Sequence, residues 1–121
     1  MARHLHFDDD GLTIEFRGLL VLGVLQRRVH VPWKAIEEVR AGASDAARAR
    51  HGRFRRGRRQ QFLSFEDPGQ VVRLAIDRSV PGAPPYDDVV LGCGRPGRLA
   101  VEVRRRVQRV VGDFRVAAPA A

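Results

Sequence analysis

Seven arginines, Arg48, Arg50, Arg53, Arg55, Arg56, Arg58 and Arg59, stand between positions 48 and 59 with no acidic residue among them. Even fully extended, that stretch spans only about 40 Å, so its charges stay close together. Such a segment binds phosphates without sequence preference and with steep salt dependence. It suits an acidic face on a protein or an anionic membrane equally well. Phe54 interleaves the charges together with Gly52 and Gly57, a pattern akin to the Arg-Gly segments that bind nucleic acid by charge and stacking. The seven arginines and Phe54 are therefore the candidate anion- or partner-binding residues. A protein partner ranks first, nucleic acid second and an anionic membrane third. A solvated insertion between strands would explain the same composition with no ligand at all.

The other chemistry-bearing patterns are thinner. Gly92-Cys93-Gly94-Arg95-Pro96-Gly97 matches the G-x-G-x-x-G dinucleotide pattern and sits where a strand should pass into a helix. A dinucleotide fold needs a further parallel strand after that helix, with an acidic residue to hold the ribose. Beyond the helix this chain has only an alanine-rich stretch, and Pro96 removes one amide from the cradle. The segment reads first as a strand-to-helix turn, with Gly94, Arg95 and Arg98 as a secondary anion site at the helix start. Cys93 has no base close to it in sequence and reads as an inert thiol. His4 and His6 share one face of a strand but lack the further ligand a metal needs. The pairs Glu37-Glu38 and Asp87-Asp88 are adjacent, so in strands their side chains face opposite ways. No nucleophile–base arrangement has supporting context. The chain is expected to be non-enzymatic, with no cofactor and no metal.

Around these residues stands an ordinary globular composition: 121 residues, 44% apolar and 30% charged, enough for one domain with a core of its own. The net charge is +8, but without residues 48–59 the remainder carries +1, so this is a near-neutral domain with a basic insert. All but one of the 22 cationic residues are arginine, Lys34 being the exception, which reads as coding preference rather than chemistry. A single cysteine excludes an internal disulfide. The first residues show no signal-peptide stretch. The longest apolar run, 19–25, is about a third of a membrane-spanning helix. A cytoplasmic protein is the expectation.

Periodicity places strands at 4–7, 12–17, 28–31, 35–40, 62–65, 71–77 and 88–91. Asp8-Asp9-Asp10-Gly11 turns the first into the second, with Gly11 supplying a positive φ. Residues 19–25 fit either a doubly buried strand or a helical turn. Residues 41–60 have no apolar period and are expected to form a mobile loop. Strands 62–65 and 71–77 are expected to pair as a hairpin across a type II turn centred on Pro68-Gly69. One amphipathic helix closes the domain: it opens at Pro96, carries Leu99, Val103, Val107, Val110 and Val111 as its apolar stripe, and stops at Gly112. Its arginines make a solvated face. These elements set domain bounds of 1–115, with a flexible tail at 116–121.

The segment Val29-His30-Val31-Pro32-Trp33-Lys34-Ala35-Ile36-Glu37-Glu38-Val39 is similar to the V-x-V-P-W-x-x-I-x-x-V stretch of small bacterial pleckstrin-homology-like domains. The passage Tyr86-Asp87-Asp88-Val89-Val90-Leu91 into Gly94-Arg95-Pro96 and a helix also resembles the way those domains close. The resemblance implies a mostly β (α+β) fold: a partly open barrel of about seven antiparallel strands capped by one C-terminal amphipathic helix. It implies protein binding or scaffolding rather than catalysis. Relatives often take phosphoinositides on basic residues of the first hairpin loop. Here that loop is Asp8-Asp9-Asp10-Gly11, whose charge repels a phosphorylated headgroup. Trp33 reads as an anchor in the core.

Overall fold

The computed structural model describes residues 2–18, 27–44 and 48–117. The undecided run 19–25 lies outside them. Two sheets face one another across a shared apolar core. The first is a meander of β1 (Ala2–Phe7), β2 (Gly11–Arg17) and β3 (Arg28–Pro32). Strict alternation in β2 sends Leu12, Ile14 and Phe16 inward, and all three are buried. The turn at 8–11 forms as expected, with Asp8 N–H donating to the Gly11 carbonyl at 2.9 Å. Gly11, however, does not adopt a positive φ. It is required because a Cβ there would lie 2.4 Å from the Val31 carbonyl of the paired strand.

The chain then passes through a 3-10 turn, Trp33–Ala35, into the second sheet. Trp33 is fully buried, donates its indole N–H to the Asp8 carbonyl at 2.8 Å and packs against Phe7 with ring centroids 5.7 Å apart. It is the core anchor the sequence points to. The second sheet comprises β4 (Ile36–Gly42), β5 (Arg50–Arg56), β6 (Arg59–Phe65), β7 (Val71–Ile76) and β8 (Asp88–Gly92), in the order β4-β7-β8-β6-β5.

Three expectations change here. Residues 41–60 are not one loop: Ala41 and Gly42 extend β4, and Arg50–Arg56 is a strand paired with β6. Backbone pairing along β6 overrides the missing apolar period, as it readily does at a sheet edge. Strands β6 and β7 are not a hairpin either. Strand β8 lies between them, parallel to β6 and antiparallel to β7. Val89, Val90 and Leu91 are buried on both faces, as a central strand requires. The turn between β6 and β7 does form, with Gln70 N–H donating to the Asp67 carbonyl at 3.1 Å, but Gly69 has no positive φ, so it is not type II. Asp67 Oδ1 accepts from Gly69 N–H at 2.8 Å and holds the alternative turn. The third change is architectural: the sheets number two, do not close into a barrel, and contain a parallel pair.

The core between the sheets joins Phe16 to Phe62 and Phe62 to Tyr86 through tilted ring contacts at 5.5 and 5.3 Å. The helix α1 (Pro96–Ala117) opens at Pro96 as expected and lies against β4, the 3-10 turn and β7. Ala100 and Val103 are fully buried, and Leu99, Val107 and Val110 pack half-buried against the same core. The helix does not stop at Gly112 but runs to Ala117. An interior glycine costs a helix only about 1 kcal/mol relative to alanine, and helix-compatible residues come after it. Nor are all its arginines simply solvated: Arg104 Nη2 donates to the Val39 carbonyl at 2.6 Å, and Arg106 lies over the Phe7 ring at 5.5 Å.

Candidate functional site

The arginine segment is a hairpin. Arg56 pairs with Arg59, leaving Gly57 and Arg58 as a two-residue loop, and Gly57 takes the φ of 61° that its first loop position requires. Strand β5 is the edge of the five-stranded sheet. Alternation divides its side chains: Arg50, Phe54 and Arg56 share the sheet's outer face with Arg59, while His51, Arg53 and Arg55 turn the other way. Five of the seven charges are thus fixed on two faces of a paired hairpin, with Arg58 in its loop and Arg48 ahead of β5. Arg50 lies over the Phe54 ring at 5.6 Å. Arg48, Arg53, Arg55, Arg56 and Arg58 are exposed at the rim. Cationic side chains on a free edge also discourage a second copy from pairing there, because like charges repel.

Arg59 is engaged elsewhere. Its Nε and Nη2 donate to Oδ2 and Oδ1 of Asp88, both at 2.9 Å. Gln61 Nε2 donates to Oδ2 at 3.2 Å, and Arg73 Nε to Oδ1 at 3.3 Å. Asp88 is completely buried, whereas the two guanidiniums are about half exposed. Burial alone would push this carboxyl up, but Arg59, Gln61 and Arg73 outweigh it and hold it below the usual carboxylate range. Register explains the meeting. Gln61, Asp88, Ala75 and Glu38 lie side by side on β6, β8, β7 and β4, with Arg73 and Arg40 paired one step along. The result is an open groove lined by Glu38, Arg40, Arg59, Arg73, Ala75 and Asp88.

On the inner side a second polar cluster forms. His51 Nδ1 lies 3.1 Å from Ser64 Oγ across the β5/β6 ladder, and its Nε2 lies 3.3 Å from Glu66. Arg3, from β1, reaches over to donate to Glu66 at 2.7 and 2.5 Å, to Ser64 Oγ at 3.2 Å and to the Gly92 carbonyl at 3.2 Å. This is a hydroxyl, an imidazole and a carboxylate in contact, a grouping the linear sequence hides. Ser64 is fully enclosed, and its oxygen already takes a hydrogen bond from Arg3. Burial, reinforced by Arg3, keeps the His51 imidazole below its ordinary range despite the pull of Glu66. The hydrogen bond from Arg3 holds Glu66 below its own.

No protein-family model matches this chain, and no curated protein or solved structure is significantly similar to it.

The remaining candidates fall into place around these clusters. A Cβ at Gly92 would come within 2.8 Å of Phe65 on the neighbouring strand, so packing requires glycine there. Gly94, Arg95 and Arg98 do lie at the opening of α1, all exposed. Cys93 is half-buried against the core. His4 and His6 are exposed on β1, His6 within 3.7 Å of Glu15, and among the described residues no three metal-ligating side chains gather. Glu37 and Glu38 are both exposed, whereas Asp87 and Asp88 part company: Asp87 accepts the Gln60 N–H at 2.7 Å while Asp88 enters the outer-face cluster. The acidic first turn is exposed, with the Asp10 carbonyl accepting from Trp33 N–H at 3.1 Å. Among the described residues no helix is long and apolar enough to cross a membrane.

Asp88 and Arg73 do not stand out in the linear sequence. Their one signal is an acid opening a strand that is otherwise apolar on both faces. Such a strand is central, and a buried carboxylate in it needs cationic partners on its neighbours.

Proposed function

We propose that this chain is a non-enzymatic, pleckstrin-homology-like binding module, acting in the cytoplasm, that receives an acidic surface of a protein partner on the hairpin β5–β6. One observation carries the reading. The hairpin holds exposed arginines on both faces of a free sheet edge, with their backbone already ordered by pairing to β6. An ordered array gives up less entropy on binding than a mobile loop, and its summed field speeds encounter with an acidic partner. The enclosed Ser64 hydroxyl supports a non-catalytic role for the grouping that most resembles a catalytic one.

A second reading, nucleic acid in place of protein, draws support from the Arg50–Phe54 stack beside these charges, since a ring and guanidiniums together suit unstacked bases.

The deciding experiment is capture from cell lysate at physiological salt, with and without nuclease. It compares the full chain with a variant carrying Arg48→Ser, Arg55→Ser and Arg58→Ser. These side chains are exposed, so thermal stability should change by no more than about 0.5 kcal/mol per site. A nuclease-resistant protein lost with the variant is the expected result. A nuclease-sensitive capture lost with the variant selects the second reading, and a capture that survives the substitutions defeats both.

A further inference from the structure

The groove on the outer sheet face is independent of the hairpin's exposed rim. We propose that it is a binding site for a small phosphorylated sugar or polyol, with Arg40, Arg59 and Arg73 holding the phosphate and Glu38 accepting the hydroxyls.

The Asp88 carboxylate is wholly enclosed on the floor of the groove, and its charge is matched by Arg59 and Arg73. What those two residues present to solvent is therefore guanidinium N–H. Arg59 engages Nε and Nη2 with Asp88, and Arg73 does the same through its own Nε and Nη2, so Asp88 uses neither Nη1, and both side chains are about half exposed. Asp88 acts as a positioning residue: it clamps two flexible cations into fixed directions before any ligand arrives, which lowers the ordering cost of binding. Arg40 is paired with Arg73 across β4 and β7 and lines the same groove. Its Nε is engaged with Glu38, leaving both Nη groups for a ligand.

Charge and shape then select the ligand. Three guanidiniums against two carboxylates leave the lining net cationic. Guanidinium forks match phosphate oxygens bidentately, and a phosphate monoester offers enough oxygens for several forks at once. Glu38 is half exposed and is an acceptor only, so it disfavours a bare anion and rewards a ligand that carries hydroxyl donors beside its phosphate. The volume, about 340 Å³, sits at the small end of ligand sites and suits a pentose phosphate rather than a dinucleotide.

The test is an NMR titration of the full chain with ribose 5-phosphate, following the arginine side-chain N–H resonances, with inorganic phosphate and ribose as the two control arms. Ribose 5-phosphate should shift the resonances of Arg40, Arg59 and Arg73 saturably, inorganic phosphate should bind about tenfold more weakly, and ribose should not bind, since one good hydrogen bond is worth about a factor of ten. Arg40→Gln, which removes only an exposed side chain, should weaken binding about tenfold at an unchanged melting temperature. The Arg48→Ser, Arg55→Ser, Arg58→Ser variant should bind like the unmodified chain, which separates this site from the hairpin. The proposal is overturned by an absence of saturable shifts, by inorganic phosphate or ribose binding as tightly as the sugar phosphate, by wild-type affinity in Arg40→Gln, or by loss of binding in the hairpin variant.

Discussion

Asp88 and Ser64 are both completely enclosed polar side chains on neighbouring strands, and both are reached by arginine, yet they serve different ends. Asp88 is charged. Burying it requires opposite charge, and the sheet supplies two guanidiniums that must stay half in water. Ser64 is neutral and needs only hydrogen bonds, which His51 and Arg3 provide. The Asp88 cluster lies within one sheet and leaves oriented cations at the surface. The Ser64 cluster takes Arg3 from the other sheet and stitches the two together. A buried charge therefore shapes the outside of this molecule, while a buried hydroxyl secures its inside.

Breaking the charged cluster should cost most. Arg59→Ala leaves the Asp88 carboxylate buried with Arg73 and Gln61 alone, and chemical denaturation should show a loss of about 3 kcal/mol. A loss near zero would mean that Asp88 gains water or protonates freely, and the contrast would collapse. The same cluster contributes to the acid limit of the fold. Because its folded-state pKa is lowered, Asp88 contributes its full stability above about pH 4 and loses that contribution as pH falls further, so Asp88→Asn should flatten this part of the stability profile.

The Ser64 cluster should answer more gently. Arg3→Ala removes the bonds to Glu66, Ser64 and Gly92 and should cost about 2 kcal/mol, chiefly through the charge-assisted pair. Ser64→Ala removes one neutral hydroxyl and should cost about 1 kcal/mol. If Ser64→Ala proved the more damaging of the two, the hydroxyl rather than the guanidinium would be the stitch between the sheets.

The smallest effect concerns His51. Its folded pKa is lowered, so the unfolded chain takes up the proton first, near pH 6.5, and stability declines as pH drops below that value. His51→Gln should abolish the decline between pH 7 and pH 5 while leaving the Asp88-dependent decline intact. Urea midpoints measured across this range read the two waves separately. A single wave removed by either substitution would show the clusters to be one coupled unit.

Local pattern served well where a segment's neighbours in space are its neighbours in sequence. The alternation of β2, the acidic turn before it and the helical spacing from Leu99 to Val110 were each legible, because each arises from a period or a turn contained in a few residues. Strand β5 was hidden because a pairing strand at a sheet edge needs no apolar face, and arginine gives no periodic signal. The β6–β8 parallel pair was hidden because antiparallel hairpins are the default between successive strands, whereas here the proline-containing 77–87 connection carries β8 back into the gap between β6 and β7. Arg59 was legible as a charge but not as the partner of a carboxylate 29 positions away.

By itself the sequence determined composition, charge, most strand positions, the closing helix and the arginines that any binding role must use. These arise from side-chain chemistry and short-range periodicity, which are properties of the chain before it folds. Only the tertiary structure decided which arginines stand free at an edge and which are bound to a buried acid. Register across four strands places Glu38, Ala75, Asp88 and Gln61 side by side, with Arg73 one step along, and register is a property of pairing rather than of any one segment.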